Sequence, residues 1–198
     1  MKTKSILVSF LSAAILLACS GSKKEAHEGH DTAQPAESAT VAAEIKVFDN
    51  VDPSVKSQLT GFLSDYLAMN QSLIEDNHDG AKAAAKKLSE TVSKFDMSKL
   101  EGEQMAFYHI QEAKLNSALT EIGKASDIEE TRVELAGVSE AMYSLVKAYH
   151  ANDTELYYQY CPMALNNEGA NWLSSTKEII NPYMGQRMLK CGKTQETL

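Results

Sequence analysis

Residues 53–73 read PSVKSQLTGFLSDYLAMNQSL, with Val55, Leu59, Phe62, Tyr66, Met69 and Leu73 spaced four, three, four, three and four apart. That is the period of an α-helix with one apolar face, sustained over five turns. Asp52 ahead of Pro53 supplies an N-cap and a proline at the first helical position, and Asn77-His78-Asp79-Gly80 supplies a stop. The same step recurs on an alanine-rich second helix through Ala81, Ala85, Leu88, Val92 and Phe95. A third helix, Glu103 to Lys124, carries Met105, Tyr108, Leu115, Leu119 and Ile122, with Gln111 and Glu112 interrupting its stripe. A fourth, Ile128 to His150, carries Leu135, Val138, Met142, Leu145 and Tyr149. Ser126 or Asp127 caps it, and Glu129 and Glu130 complement the helix dipole. Four such helices joined by connections of about 2 to 8 residues predict an all-α fold, an antiparallel up-and-down four-helix bundle over residues 52–151. No segment shows strand alternation.

Working outward from the bundle, residues 1–18 read as an export signal. Lys2 and Lys4 form its charged start, and an apolar run from Ile6 to Leu17 follows, too short to span a bilayer. The run ends in Leu16-Leu17-Ala18-Cys19, which resembles the bacterial lipobox. That predicts cleavage before Cys19, lipidation of its sulfur and membrane attachment through the acyl chains. Ser20 offers no retention-type aspartate, so the expected location is the cell envelope, at the outer membrane and facing the periplasm. Residues 19–51 are a small, polar tether, with His27 and His30 in HEGHD read as incidental to a solvated linker.

The 198 residues carry 19 basic and 27 acidic side chains, a net charge of -8. Loss of Lys2 and Lys4 with the signal makes the balance 17 minus 27, or -10. Nucleic acid is excluded as a partner, because phosphate binding needs clustered Lys and Arg. Of the three cysteines, lipidation accounts for Cys19 and leaves Cys161 and Cys191 as a pair, in a compartment where disulfides form.

Both sit in a loop-rich appendage, residues 152–198, expected to pack on the bundle and holding three of the eight methionines and the only tryptophan. Cys161 and Met163 flank Pro162. Asn181, Pro182 and Gly192 have the pattern of N-cap, first position and C-terminal stop, predicting a short helix on which Met184, Met188 and Cys191 share a face. Thiolate and thioether together select a soft monovalent ion, Cu(I) or Ag(I), whereas calcium and magnesium want oxygen and zinc wants paired Cys/His spacing. The expected metal site is Cys161, Met163, Met188 and Cys191, with Met184, His109 and His150 as further candidates.

A second reading stands beside it: Cys161 and Cys191 form a disulfide across about 30 residues, worth about 3 to 4 kcal/mol in the chain-entropy model, and the methionines fill core. His109 is then a hydrogen-bonded bundle histidine, His150 a charge at a helix C-terminus, and Trp172 the anchor of the appendage. Spacing leaves both open, and oxidation of the pair would block thiolate binding. With no nucleophile elbow, phosphate loop, HExxH or dinucleotide fingerprint, the chain reads as a binder without organic cofactor rather than an enzyme.

The string YCPMALNNEGANWLSSTKEIINPYMGQRMLKCG resembles the C-terminal signature of a bacterial helical domain-of-unknown-function family: a CPM turn, Gly-Ala-x-Trp-Leu-Ser, Asn-Pro-Tyr-x-Gly and Met-Leu-x-Cys-Gly. YLAMNQSLIEDNHDGAKAAAKKL and the stretch Arg132 to Leu145 are similar to the family's helical part, so the resemblance spans residues 52–195. Its motif positions are Cys161, Pro162, Met163, Gly169, Ala170, Trp172, Asn181, Pro182, Tyr183, Gly185, Met188 and Cys191, while Met184 falls where the motif is free. The resemblance implies copper or other heavy-metal handling. Such domains occur as lipoproteins and fused to periplasmic adaptor (CusB-like) subunits of efflux pumps, so an efflux adaptor or pump is the implied partner.

Overall fold

The computed structural model describes residues 45–198. The signal at 1–18, Cys19, His27, His30 and most of the tether lie outside the described residues.

The four helices form where the stripes place them: α1 Pro53–Ile74, α2 His78–Val92, α3 Gly102–Lys124 and α4 Ile128–Tyr149. Their ends are set by short polar side chains. Asp52 accepts from the Ser54 N–H at the start of α1. Asn77 accepts from the Gly80 N–H and so opens α2, making the expected stop of one helix the start of the next. Asp127 accepts from the Glu130 N–H while the Glu130 carboxylate accepts from the Ser126 N–H, two free donors satisfied reciprocally. His150 ends α4 in a left-handed conformation, φ 52°.

The stripes meet in one core. Leu59, Tyr66, Met69, Leu115, Leu135, Met142 and Leu145 are all buried, and Phe95 stacks on Tyr108 with ring centroids 4.2 Å apart. Gln111, the polar break in the third stripe, is itself buried. Among the described residues no helix is long and apolar enough to cross a membrane.

The fold is not all-α. The appendage holds a three-stranded antiparallel sheet, β1 Tyr157–Cys161, β2 Ala170–Ser174 and β3 Lys193–Thr197, in the order β2-β1-β3. β1 pairs Tyr158 with Leu173 and Cys161 with Ala170, and pairs with β3 through a bulge between Tyr158 and Gln159. The strands escaped sequence patterning because β1 inverts it: Gln159 points inward, fully buried, while Tyr158 and Tyr160 are half-buried. The Gln159 amide donates to the Thr176 carbonyl and so closes the loop after β2. Aromatic residues favour strands when a neighbouring surface receives them, and here α4 lies under β2.

The helices also close one sheet edge. The Tyr66 hydroxyl accepts from the Leu173 N–H, and Asn70 donates to the Leu173 carbonyl, so α1 takes up backbone groups that an edge strand would leave open. Trp172 is buried and packs edge-on to Tyr183 within the appendage.

A second correction concerns residues 182–191. Asn181 does act as a cap, accepting from the Tyr183 and Met184 N–H groups. The helix stops at once, however: Gly185 has φ 52°, a 3-10 turn covers only Gly185–Arg187, and Met188 leaves the helical region at φ -156° and ψ 60°. Met184, Met188 and Cys191 therefore do not share an α-helical face.

Candidate functional site

Met163, Met184 and Met188 line one cleft of about 500 Å³ between the appendage and the start of α4. Two arms of chain bring them there. Met163 follows the end of β1 and enters a one-turn helix, Ala164–Asn167, in which Leu165 and Asn166 are left-handed. Met184 and Met188 flank the 3-10 turn of the second arm, and Glu129, Arg132 and Val133 of α4 form the facing wall.

Two of these methionines differ from the rest, while Met184 packs against the core as Met97 and Met105 do. Met69 and Met142 are fully buried, and Met97 and Met105 pack against the core, whereas Met163 and Met188 are 47% and 38% exposed. Exposed thioethers forgo the burial that makes methionine useful as core filler. Among the described residues the large exposed apolar side chains are Val47, Ile110, Val133, Met163 and Met188, and three of the five line this cleft.

The cysteines stand elsewhere. Cys161 and Cys191 are joined in a disulfide with Cα atoms 5.7 Å apart, Cys161 is fully buried, and neither lines the cleft. His109 is exposed and pairs with Glu112 at 3.2 Å, and His150 is the exposed cap of α4; neither lines the cleft. The structure thus gathers Met163, Met184 and Met188, and separates from them the two cysteines and two histidines. Met184, least supported by the sequence motif, is with the other two. Among the described residues no three His, Cys, Asp or Glu side chains are gathered for a metal.

The wall of the cleft is built on a residue that sequence reasoning passed over. Arg132 is 2% exposed, donating through Nε to the Pro182 carbonyl at 3.0 Å, through Nη1 to Glu129 at 2.8 Å, and through Nη2 to the Leu73 carbonyl at 2.9 Å and to Asp76. It ties the end of α1, the start of α4 and the methionine arm together. Asp76 and Glu129, the latter read from the sequence as complementing the helix dipole, are its counter-ions, and Glu129 also accepts from Arg187. The Arg132 hydrogen bond holds the Asp76 carboxyl below the usual carboxylate range, outweighing burial. Arg132 and Arg187 of the cleft lining are each paired with a carboxylate, Glu129 within the lining and Asp76 behind it. Arg132 stands three residues before Leu135, on the apolar stripe of α4, and a charge at that position was the available signal.

The motif glycines have local reasons. A Cβ on Gly185 would run into the Asp76 carboxylate and Arg132, and one on Gly169, at φ 82°, into the Tyr160 ring. Tyr183 donates to the Asn171 carbonyl at 2.7 Å, and burial pushes its phenol well above the ordinary value, so it stays a donor.

Residues 62–154 match the model of a family described as protein of unknown function (DUF3347). The match supports a domain-of-unknown-function family for the helical part of the chain and ends before β1, short of Cys161 and the methionines of the appendage. Neither a curated protein nor a solved structure matches the chain.

Proposed function

We propose that the chain is a lipid-anchored envelope protein that binds a soft metal ion, Cu(I), as cargo in copper or heavy-metal homeostasis or efflux. Met163, Met184 and Met188 hold the ion. The observation that carries this reading is three thioethers on one cleft, two of them exposed where the other described methionines are buried or packed on the core. Thioethers are neutral, soft donors that suit Cu(I) and Ag(I) and offer little to zinc, calcium or magnesium. They have no proton to lose, so affinity stays nearly flat across neutral pH, unlike a thiolate or imidazole site. The wall's own charges are paired, which leaves the ion facing sulfur rather than an unopposed guanidinium. The resemblance to metal-efflux-associated lipoproteins favours the same cargo and points to an efflux adaptor as recipient. The role is binding rather than catalysis.

Competition against a Cu(I) chelator tests it. The full chain withdraws Cu(I) from the chelator, and the triple variant Met163→Leu, Met184→Leu, Met188→Leu does not. Equal withdrawal by the variant, or none by the wild-type protein, refutes the reading. The disulfide itself favours a second one, a helical interaction lipoprotein stapled by Cys161–Cys191 that binds no metal; absence of Cu(I) and Ag(I) binding would favour it.

A further inference from the structure

We infer that a second cleft, apart from the methionines, binds a neutral saccharide. It measures about 470 Å³ and shares no lining residue with the methionine cleft. Small-molecule pockets run from about 300 to 1,000 Å³. Phe107, Gln111 and Lys114 line it from α3, at i, i+4 and i+7, and α4, β1 and β2 supply the facing side.

Gln111 is the polar break in the apolar stripe of α3, and packing gives it no reason to be there. It is 6% exposed, and its amide oxygen has no hydrogen-bond partner among the described residues. A leucine would continue the stripe without leaving a buried acceptor unpaired, so the glutamine answers to a donor that enters the cleft. Ser144 of α4, 7% exposed, brings a hydroxyl to the same cleft. Asn171 of β2 donates from its amide nitrogen to the Gln159 carbonyl and to Gln195, which leaves its oxygen as a further acceptor. The apolar wall is Phe107 with Tyr143 and Tyr158, whose rings lie parallel with centroids 3.7 Å apart. Tyr143 is fixed in that position by donating to Glu196, which Lys147 also holds, so the wall is formed before a ligand arrives.

Charge decides the class of ligand. Lys114 and Glu140, both exposed, pair with each other at 3.0 Å. A cation would meet Lys114, and also Lys147, whose Nζ stands 5.3 Å from the centroid of the Tyr143 ring. An anion would meet Glu140 and the amide oxygens of Gln111 and Asn171. A neutral ring carrying hydroxyls meets neither obstacle. Each hydroxyl can donate to an amide oxygen and accept from a side-chain hydroxyl, while the C–H face of the ring lies on the apolar wall.

Titration of the full chain with glucose, N-acetylglucosamine and maltose, followed through the side-chain amide signals of Gln111 and Asn171 in proton–nitrogen NMR, tests this. At least one of the three shifts both amides. Gln111→Leu, which only extends an apolar stripe, then binds that saccharide about tenfold more weakly, as expected for one hydrogen bond to a buried amide, with Asn171 as the reporter. Ser144→Ala, a second and milder variant, also weakens it. The Met163→Leu, Met184→Leu, Met188→Leu variant keeps full saccharide binding, which separates this site from that of the ion. No shift with any of the three sugars, or undiminished binding by both Gln111→Leu and Ser144→Ala, overturns the inference. So do shifts produced by acetate, tetramethylammonium or nicotinamide but by no saccharide.

Discussion

Replacing Arg132 by alanine removes four hydrogen bonds from a side chain that is 2% exposed. The carboxylates it leaves are half in solvent, with Asp76 at 38% and Glu129 at 56% side-chain exposure, so they turn to water at little cost. The carbonyls of Leu73 and Pro182 lose their guanidinium donor at a buried junction, at about 1 to 3 kcal/mol each. Adding the emptied side-chain volume, Arg132→Ala should lose about 3 to 5 kcal/mol, or roughly 8 to 15 °C in Tm for a chain of this size. Arg132→Lys keeps the charge but not the planar fork and should lose about half as much. Urea denaturation at neutral pH, read by far-UV circular dichroism, gives both values. A loss below about 1 kcal/mol for the alanine variant would put Arg132 in the class of exposed ion pairs and refute its role as the junction.

Gly185→Ala should cost about 1 to 3 kcal/mol, since its positive φ and its approach to Asp76 and Arg132 both oppose a side chain, whereas Gly123→Ala, open on all sides in α3, should gain up to about 1 kcal/mol; opposite shifts of the urea midpoint check the pair. Tyr66→Phe deprives the Leu173 N–H and Ser139 of their partner and should cost about 1 to 3 kcal/mol, with faster amide exchange at Leu173. The carboxyl of Asp76 is depressed in the folded protein, so its stabilisation is complete above the ordinary value of 3.8 and is lost as pH falls through the lower, folded value. The stability gap between wild type and Asp76→Asn should therefore be widest above pH 4 and narrow with acid in urea midpoints taken at stepped pH.

The helices were legible because each element repeats one signal many times. A stripe such as Val55 to Leu73 states helix, face and length at once, and Asp52 and Asp127 mark the starts. The sheet was not. Its strands are five residues long, and β1 turns a glutamine inward, which makes sense only once the carbonyls of the loop after β2 are in place to receive the amide. The helix expected over 182–191 failed for a similar reason. The cap at Asn181 is local and correct, but Gly185 is held left-handed beside Asp76, in the turn after α1, and Arg132 of α4.

The methionine cleft divides along the same line. The chemistry of sulfur donors within 161–191 is written in the residues, but they leave thiol site and disulfide both open, and only the structure joins Cys161 to Cys191. Which sulfurs stand together is not written there either, because Met163 and Met188 lie 25 residues apart on arms joined by a disulfide and walled by α4. Sequence by itself determined the four helices and the donor inventory, since both depend on neighbours within a few turns. Tertiary structure decided the sheet, the buried Arg132 junction and the separation of cysteines from methionines, since each depends on groups that meet only when the appendage packs on α1 and α4.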